Sequence, residues 1–146
     1  MEFGDYQCPP CAQVYTFLDD LVRHGNGQAR FVFRNYPLTR IHPNALNAAL
    51  VAEAAGEQGR FWPMHDLLYA QPGRLSISGL NQAADTLRLD LPRFHQSLRR
   101  AAKTRVRTDL EIVAKLKLTG TPSLLLCEPG GAVRSVSRAE LQRRFR

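Results

Sequence analysis

The amino-acid sequence predicts an α/β fold in which a βαβ half and a ββα half are separated by a block of helices. Three observations carry this reading. A short apolar segment, Met1-Glu2-Phe3, is followed by helical spacing and then by an alternating segment that stops at Pro37. From Pro43 to Lys117 the pattern is helical, and beyond Gly120 it returns to short strands.

Taken in order, Met1-Glu2-Phe3 reads as the end of a strand and Gly4-Asp5-Tyr6-Gln7 as a loop. Val14, Phe17, Leu18, Leu21 and Val22 fall at i, i+3, i+4, i+7 and i+8, one face of a helix. Gly25-Asn26-Gly27 supplies its stop and a turn. Ala29 to Tyr36 alternates apolar and polar residues and reads as a second strand. Strand, helix and strand within about 35 residues make a βαβ unit with a right-handed crossover. Pro43 to Ala55 is an Ala-rich helix closing at Gly56 and Gly59. Phe61 to Tyr69 is the next, with Pro63 tolerated in its first turn. Ser78 to Leu87 forms a third, and Pro92 to about Lys117 one or two more. Thr121 to Cys127 and Ala132 to Val136 are strands joined by a turn at Glu128-Pro129-Gly130-Gly131. Ser137-Arg138-Ala139-Glu140 is a capping box opening a last helix that runs to about Phe145. The chain reads as one domain over residues 1–146 with a helical insert at about 42–117, without repeats or linkers.

The chemistry concentrates in Cys8-Pro9-Pro10-Cys11. A cysteine at a helix start meets N–H groups without intrahelical partners and the positive end of the macrodipole, and both favour a thiolate. A second cysteine about one turn later lies on the same face and can close a short disulfide with the first. CxxC beside a βαβ pattern is the redox signature of a thioredoxin-type fold. The same four residues also admit a structural disulfide or half of a metal site. The loop closed is too small to constrain the unfolded chain much. Only Cys127 and the histidines His24, His42, His65 and His95 remain to complete a metal site, and their spacing is not that of ligands.

The composition is that of an ordinary globular protein, with 44% hydrophobic and 23% charged residues. No apolar run approaches the roughly 18 residues of a membrane span, and no signal-peptide pattern opens the chain. The net charge of +7 raises nucleic acid as a partner. The cations are scattered, however, and 17 of the 20 are Arg; the densest groups lie at Arg99 to Arg107 and Arg143 to Arg146. They carry no interleaved aromatics, so a solvated basic face is expected rather than a nucleic-acid site. That charge would suit acidic protein partners or anionic membrane surfaces.

The segment from Glu2 to Cys11 resembles the active-site segment of DsbA-like thiol–disulfide oxidoreductases. Phe31 to Leu38, Phe61 to Leu68 and Gly120 to Ser123 are similar to three later blocks of that family, in the same order. The resemblance implies a thioredoxin-like fold with a helical insertion, a catalytic cysteine pair and no cofactor or metal. It implies Cys8 as nucleophile, Cys11 as buried resolving thiol, and Pro122 as a cis-proline whose preceding Thr121 presents its backbone to an extended substrate. Glu2 occupies the place of an acidic residue beneath the disulfide, where a carboxylate could take the Cys11 proton, with Arg34 as its possible ion partner; an exposed N-terminal Glu2 is the alternative. Relatives that are strong oxidants carry His where Pro10 stands, and Pro10 offers neither imidazole nor N–H to the Cys8 sulfur, so a less oxidising disulfide is expected. Trp62 and His65 are expected to pack the insert, and Cys127 to pack within its strand.

The function expected is disulfide exchange with protein cysteines, in partnership with a redox protein, by a monomer in the periplasm or another extracytoplasmic compartment. Neither nucleic acid nor an integral membrane segment enters this reading. Isomerisation ranks below oxidation or reduction because no dimerisation region is present. Two rival readings are a thioredoxin-fold enzyme acting on small thiol conjugates, and a module binding soft metal ions through Cys8 and Cys11.

Overall fold

A computed structural model describes residues 1–25 and 27–145. Asn26, in the turn expected after the first helix, and Arg146, in the terminal basic group, lie outside them. The order is β1 (Glu2–Gly4), α1 (Pro9–His24), β2 (Phe33–Asn35), α2 (Ala45–Gly56), α3 (Phe61–Ala70), a 3-10 turn (Pro72–Arg74), α4 (Ile77–Thr86), α5 (Leu91–Arg99), α6 (Ala101–Lys115), β3 (Ser123–Cys127), β4 (Val133–Ser135) and α7 (Arg138–Arg144). The sheet runs β2-β1-β3-β4, with β1 and β2 parallel and the other two pairings antiparallel. This is a thioredoxin-like α/β fold with five helices inserted between its halves.

Local chemistry explains the helix ends. Pro9 and Pro10 fill the first turn of α1, where a missing N–H costs no intrahelical bond. Gly25 ends α1 with a φ of −78°, and the positive φ of the expected Gly-containing stop falls at Gly27, at 75°. At Gly25 glycine is needed instead for space, because a Cβ would collide with the Leu21 carbonyl oxygen. Ser76, Asp90 and Ser137 each accept a backbone N–H as N-caps. The capping box at Ser137 forms only in half, since the Glu140 carboxylate turns to Arg134 at 2.6 Å.

The strands are shorter than alternation suggests. β1 is three residues long, so β2 has ladder partners only at Phe33, Arg34 and Asn35, although the Glu2 N–H still reaches the Val32 carbonyl at 2.8 Å. Pairing fixes which side chains share a face: Glu2 lies beside Phe33 and Leu124, Phe3 beside Arg34 and Ser123. Leu124 and Leu126 pack with Val14 and Leu18 of α1 and Leu141 of α7. Phe3 and Leu125 pack on the other side with Val113 of α6. Arg34 therefore points away from Glu2, and its expected pairing with that carboxylate gives way to Asp109 at 3.0 Å. Asp109 also accepts the Asn35 N–H at 2.9 Å, and Asn35 reaches Glu53 of α2 at 2.8 Å, so polar side chains bind the sheet edge to the insert. Cys127 closes β3 opposite the edge residue Val133 and is exposed, against the expectation of a packed thiol.

α2 is the axis of the insert. Ala45, Ala48, Ala49, Ala52, Ala54 and Ala55 are buried over most of its circumference, leaving a strip at Leu46 and Asn47 exposed, and α3, α4, α5 and α6 all contact it. The largest core cluster runs from this helix through Met64, Leu68 and Tyr69 to Tyr6, Cys8 and Cys11. The insert is thus the wall behind the cysteines.

Candidate active site

Cys8 stands at the N-cap of α1. Its N–H donates to the Asp5 carbonyl at 3.1 Å, and its own carbonyl accepts the Ala12 N–H at 3.2 Å. Its thiol donates to the Thr121 carbonyl at 3.6 Å, so two segments 113 residues apart meet at this sulfur. The Thr121–Pro122 peptide bond is cis, and both residues are half-buried. Cys8 is only 5% exposed, so the nucleophile the resemblance implies is itself nearly enclosed. Cys11, one turn into α1, is fully buried, and both cysteines are free thiols. Burial pushes the Cys11 thiol well up; the Asp5 N–H and the Thr121 side chain favour its thiolate without offsetting this. Pro9 and Pro10 are exposed beside the pair.

Glu2 is fully buried, and neither carboxylate oxygen has a hydrogen-bond partner among the described residues. Burial raises its carboxyl to about 8. Room for this side chain comes from Gly4, where a Cβ would strike both the Phe33 ring and the carboxyl group. The alternative of an exposed N-terminal glutamate is thereby set aside.

Three features of the site are silent in the sequence pattern. Asp5, read only as loop, is fully enclosed: Oδ1 accepts the Gln7 N–H at 2.7 Å, and Oδ2 accepts the Leu38 N–H at 2.9 Å. His42 brings Nδ1 to the same Oδ2 at 2.8 Å. Gln7 Oε1 accepts the Asn44 N–H at 2.8 Å, tying the loop before Cys8 to residues 38–44 a second time. An Asp two residues before another loop N–H is a signal for an Asx turn, which local reading could have found; its histidine partner 37 residues away it could not. Behind Cys11, Tyr6 and Tyr69 pack their rings 4.9 Å apart, and the Tyr6 hydroxyl meets His65 Nδ1 at 3.0 Å. His65 is buried and Trp62 partly exposed, both at the α3 face of the insert.

A dithiol at a helix start facing a Thr-Pro loop on a βαβ–ββα sheet defines the thioredoxin-fold class. The comparisons agree: a family model described as thioredoxin matches residues 1–132, and the chain belongs to that family. Among solved structures it is similar to a thioredoxin-like oxidoreductase from Silicibacter pomeroyi DSS-3, with a TM-score of 0.79, 25% identity, and 97% of this chain and 80% of that one covered. It is also similar to the thiol-disulfide exchange protein alpha-DsbA2 from Wolbachia pipientis, with a TM-score of 0.78, 19% identity and 99% and 77% coverage. The fold is therefore the DsbA-like one. Among curated proteins, the chain is 40% identical over 127 residues to a Na(+)/H(+) antiporter NhaA 1 from Salinispora arenicola and 35% identical over 129 residues to one from Mycolicibacterium gilvum. The match covers 86% of this chain in each case but 19% and 21% of those proteins, so the chain spans about a fifth of their length. No helix among the described residues is long and apolar enough to cross a membrane.

Proposed function

We propose that this chain is a protein thiol–disulfide oxidoreductase working through Cys8 and Cys11. The observation that carries the proposal is the contact between the Cys8 thiol and the Thr121 carbonyl, which supports reading the Thr121 backbone as the edge an extended peptide would pair with beside the reactive sulfur. In the reducing direction the Cys8 thiolate attacks a substrate disulfide. A Cys8–substrate disulfide forms, and the first substrate thiolate leaves. Cys11 then loses its proton and attacks the Cys8 sulfur, releasing the second thiolate and leaving the Cys8–Cys11 disulfide. Two electrons pass from the protein to the substrate, and the reverse sequence oxidises a substrate dithiol.

Glu2 serves the buried thiol in both directions. Its carboxyl, holding a proton up to about 8, supplies one when Cys11 departs as thiolate, and its ionised fraction accepts one when Cys11 attacks. The partners are cysteine-containing proteins and a redox protein, in an oxidising, extracytoplasmic setting where disulfides persist. The antiport named for the curated relatives does not enter this reading, since the likeness covers only a fifth of their length.

The test is to incubate the reduced Cys11→Ser protein with a disulfide-bonded peptide and separate the products without reductant. A stable adduct on Cys8, absent from Cys8→Ser, is expected; adducts on Cys127 alone would overturn the proposal.

A further inference from the structure

We propose that Asp5 and His42 form a titratable anchor that positions both cysteines, so that the reactivity of Cys8 carries a protonation step belonging to His42. The inference rests on the thiol chemistry proposed above and adds two positioning residues to it.

Asp5 touches both sulfur-bearing residues through its peptide groups. Its carbonyl accepts the Cys8 N–H at 3.1 Å, and its N–H favours the Cys11 thiolate. The conformation of Asp5 therefore fixes where α1 begins and what Cys11 meets. Its side chain, 0% exposed, hangs on two peptide N–H groups and one imidazole. Peptide donors do not titrate, so His42 is the only one of the three that a proton can switch. The His42 side chain is 16% exposed and can exchange protons with water.

Protonated His42 balances the enclosed carboxylate as an ion pair. Neutral His42 can still donate its Nδ1–H, but the Asp5 charge then lacks a counter-charge three peptide bonds from the N-cap cysteine. An anion held by neutral donors alone opposes the negative charge of an attacking thiolate. The other titratable groups packed around the pair are Cys8, Cys11 of α1, Tyr69 of α3 and Glu2 of β1. Tyr69, whose hydroxyl donates to the Asp5 carbonyl at 3.5 Å, is held neutral by burial, and Glu2 keeps its proton to about 8. Neither changes charge in the range below neutrality where imidazole does.

The variants are His42→Asn, whose amide N–H replaces the Nδ1 donor without titrating, and His42→Ala, which removes it. The measurement is the rate of iodoacetamide alkylation at Cys8 in the reduced full chain from pH 5 to pH 8.5. Wild type should react roughly tenfold faster than His42→Asn at pH 5, with the two converging by pH 8. His42→Ala should be slower than His42→Asn throughout. A wild-type to His42→Asn ratio that is flat across pH would leave His42 a mere prop and overturn the proposal. Alkylation needs neither substrate nor redox partner. Failure to form the substrate adduct, with this ratio intact, would therefore overturn only the oxidoreductase reading.

Discussion

Glu2 in the first strand and His65 in the helical insert are buried to the same degree, 0% and 1% exposed, and are shifted in opposite directions. Burial lifts Glu2 to about 8 and lowers His65 to about 3. The cause is one: taking a group out of water favours its neutral form, which is protonated for a carboxyl and unprotonated for an imidazole. What differs is the company. His65 sits among Tyr6, Phe33 and Tyr69, its ring 4.6 Å from Phe33, where nothing needs a proton. Glu2 shares the sheet face covered by α1, the helix that begins with the two cysteines. In the exchange proposed above, two equally buried titratable groups thus have different uses, and the neighbours, rather than the burial, decide which one is chemical.

The sharpest test of that difference is kinetic. Glu2→Gln keeps the shape but loses the transferable proton, so resolution of the mixed disulfide by Cys11 should slow by roughly 10²-fold. His65→Gln should leave that step within about threefold, because burial already holds the imidazole neutral and it has no proton to give. Rapid acid quenching of the mixed disulfide would measure both. Equal slowing in the two variants would erase the distinction between them.

Stability against pH separates the same pair. A carboxyl whose folded value is raised from 4.5 to about 8 stabilises the folded state fully below 4.5 and loses that contribution as pH rises towards 8. An imidazole lowered from 6.5 to about 3 does the reverse, contributing fully above 6.5 and losing it as pH falls. The two slopes, about 1.4 kcal/mol per pH unit each, cancel between 4.5 and 6.5. The pair should therefore give a plateau there and a decline of about 2 kcal/mol from pH 6.5 to pH 8. Denaturant melts of Glu2→Gln should lack that decline, while those of His65→Phe should lack the loss of stability below pH 4.5. A decline that persists in Glu2→Gln would mean that Glu2 ionises in the fold without cost.

The sequence pattern makes the order of elements legible because each helix and strand writes its own period. Val14 to Val22 and the Ala-rich α2 are examples in which burial of one face or of most of the circumference is visible residue by residue. The strand ends are not legible, because β2 stops where β1 runs out of partners, and β1 lies about 30 residues earlier. The cysteine pair is legible from spacing alone. The role of Glu2 needs the sheet register, which turns it towards α1 and sends Arg34 to Asp109. The Asp5–His42 contact is invisible to any local pattern, since two loops meet only after α1 and β2 have folded between them.

Glu128 supplies the opposite limit to Glu2 and the smallest expected effect. Both oxygens of this carboxylate are engaged by Arg144, at 2.9 and 2.8 Å, and Arg134 approaches one of them at 4.0 Å. It is thus a well-partnered surface carboxylate, whereas Glu2 has no hydrogen-bond partner among the described residues. Its environment is nevertheless wet: the side chain is 25% exposed, and both arginines are 45% exposed. Water and salt screen such a pair, and holding two long side chains in one geometry costs entropy. Glu128→Gln should therefore cost about 0.2–1 kcal/mol, shrinking further in high salt. The Glu2 variant, which breaks no visible contact, should shift stability at pH 8 by several times as much. Denaturant titrations of the two variants at pH 8, with and without added salt, decide the ranking. A larger loss from Glu128→Gln would mean that hydrogen-bond partners outweigh burial in setting what a carboxylate contributes to this fold.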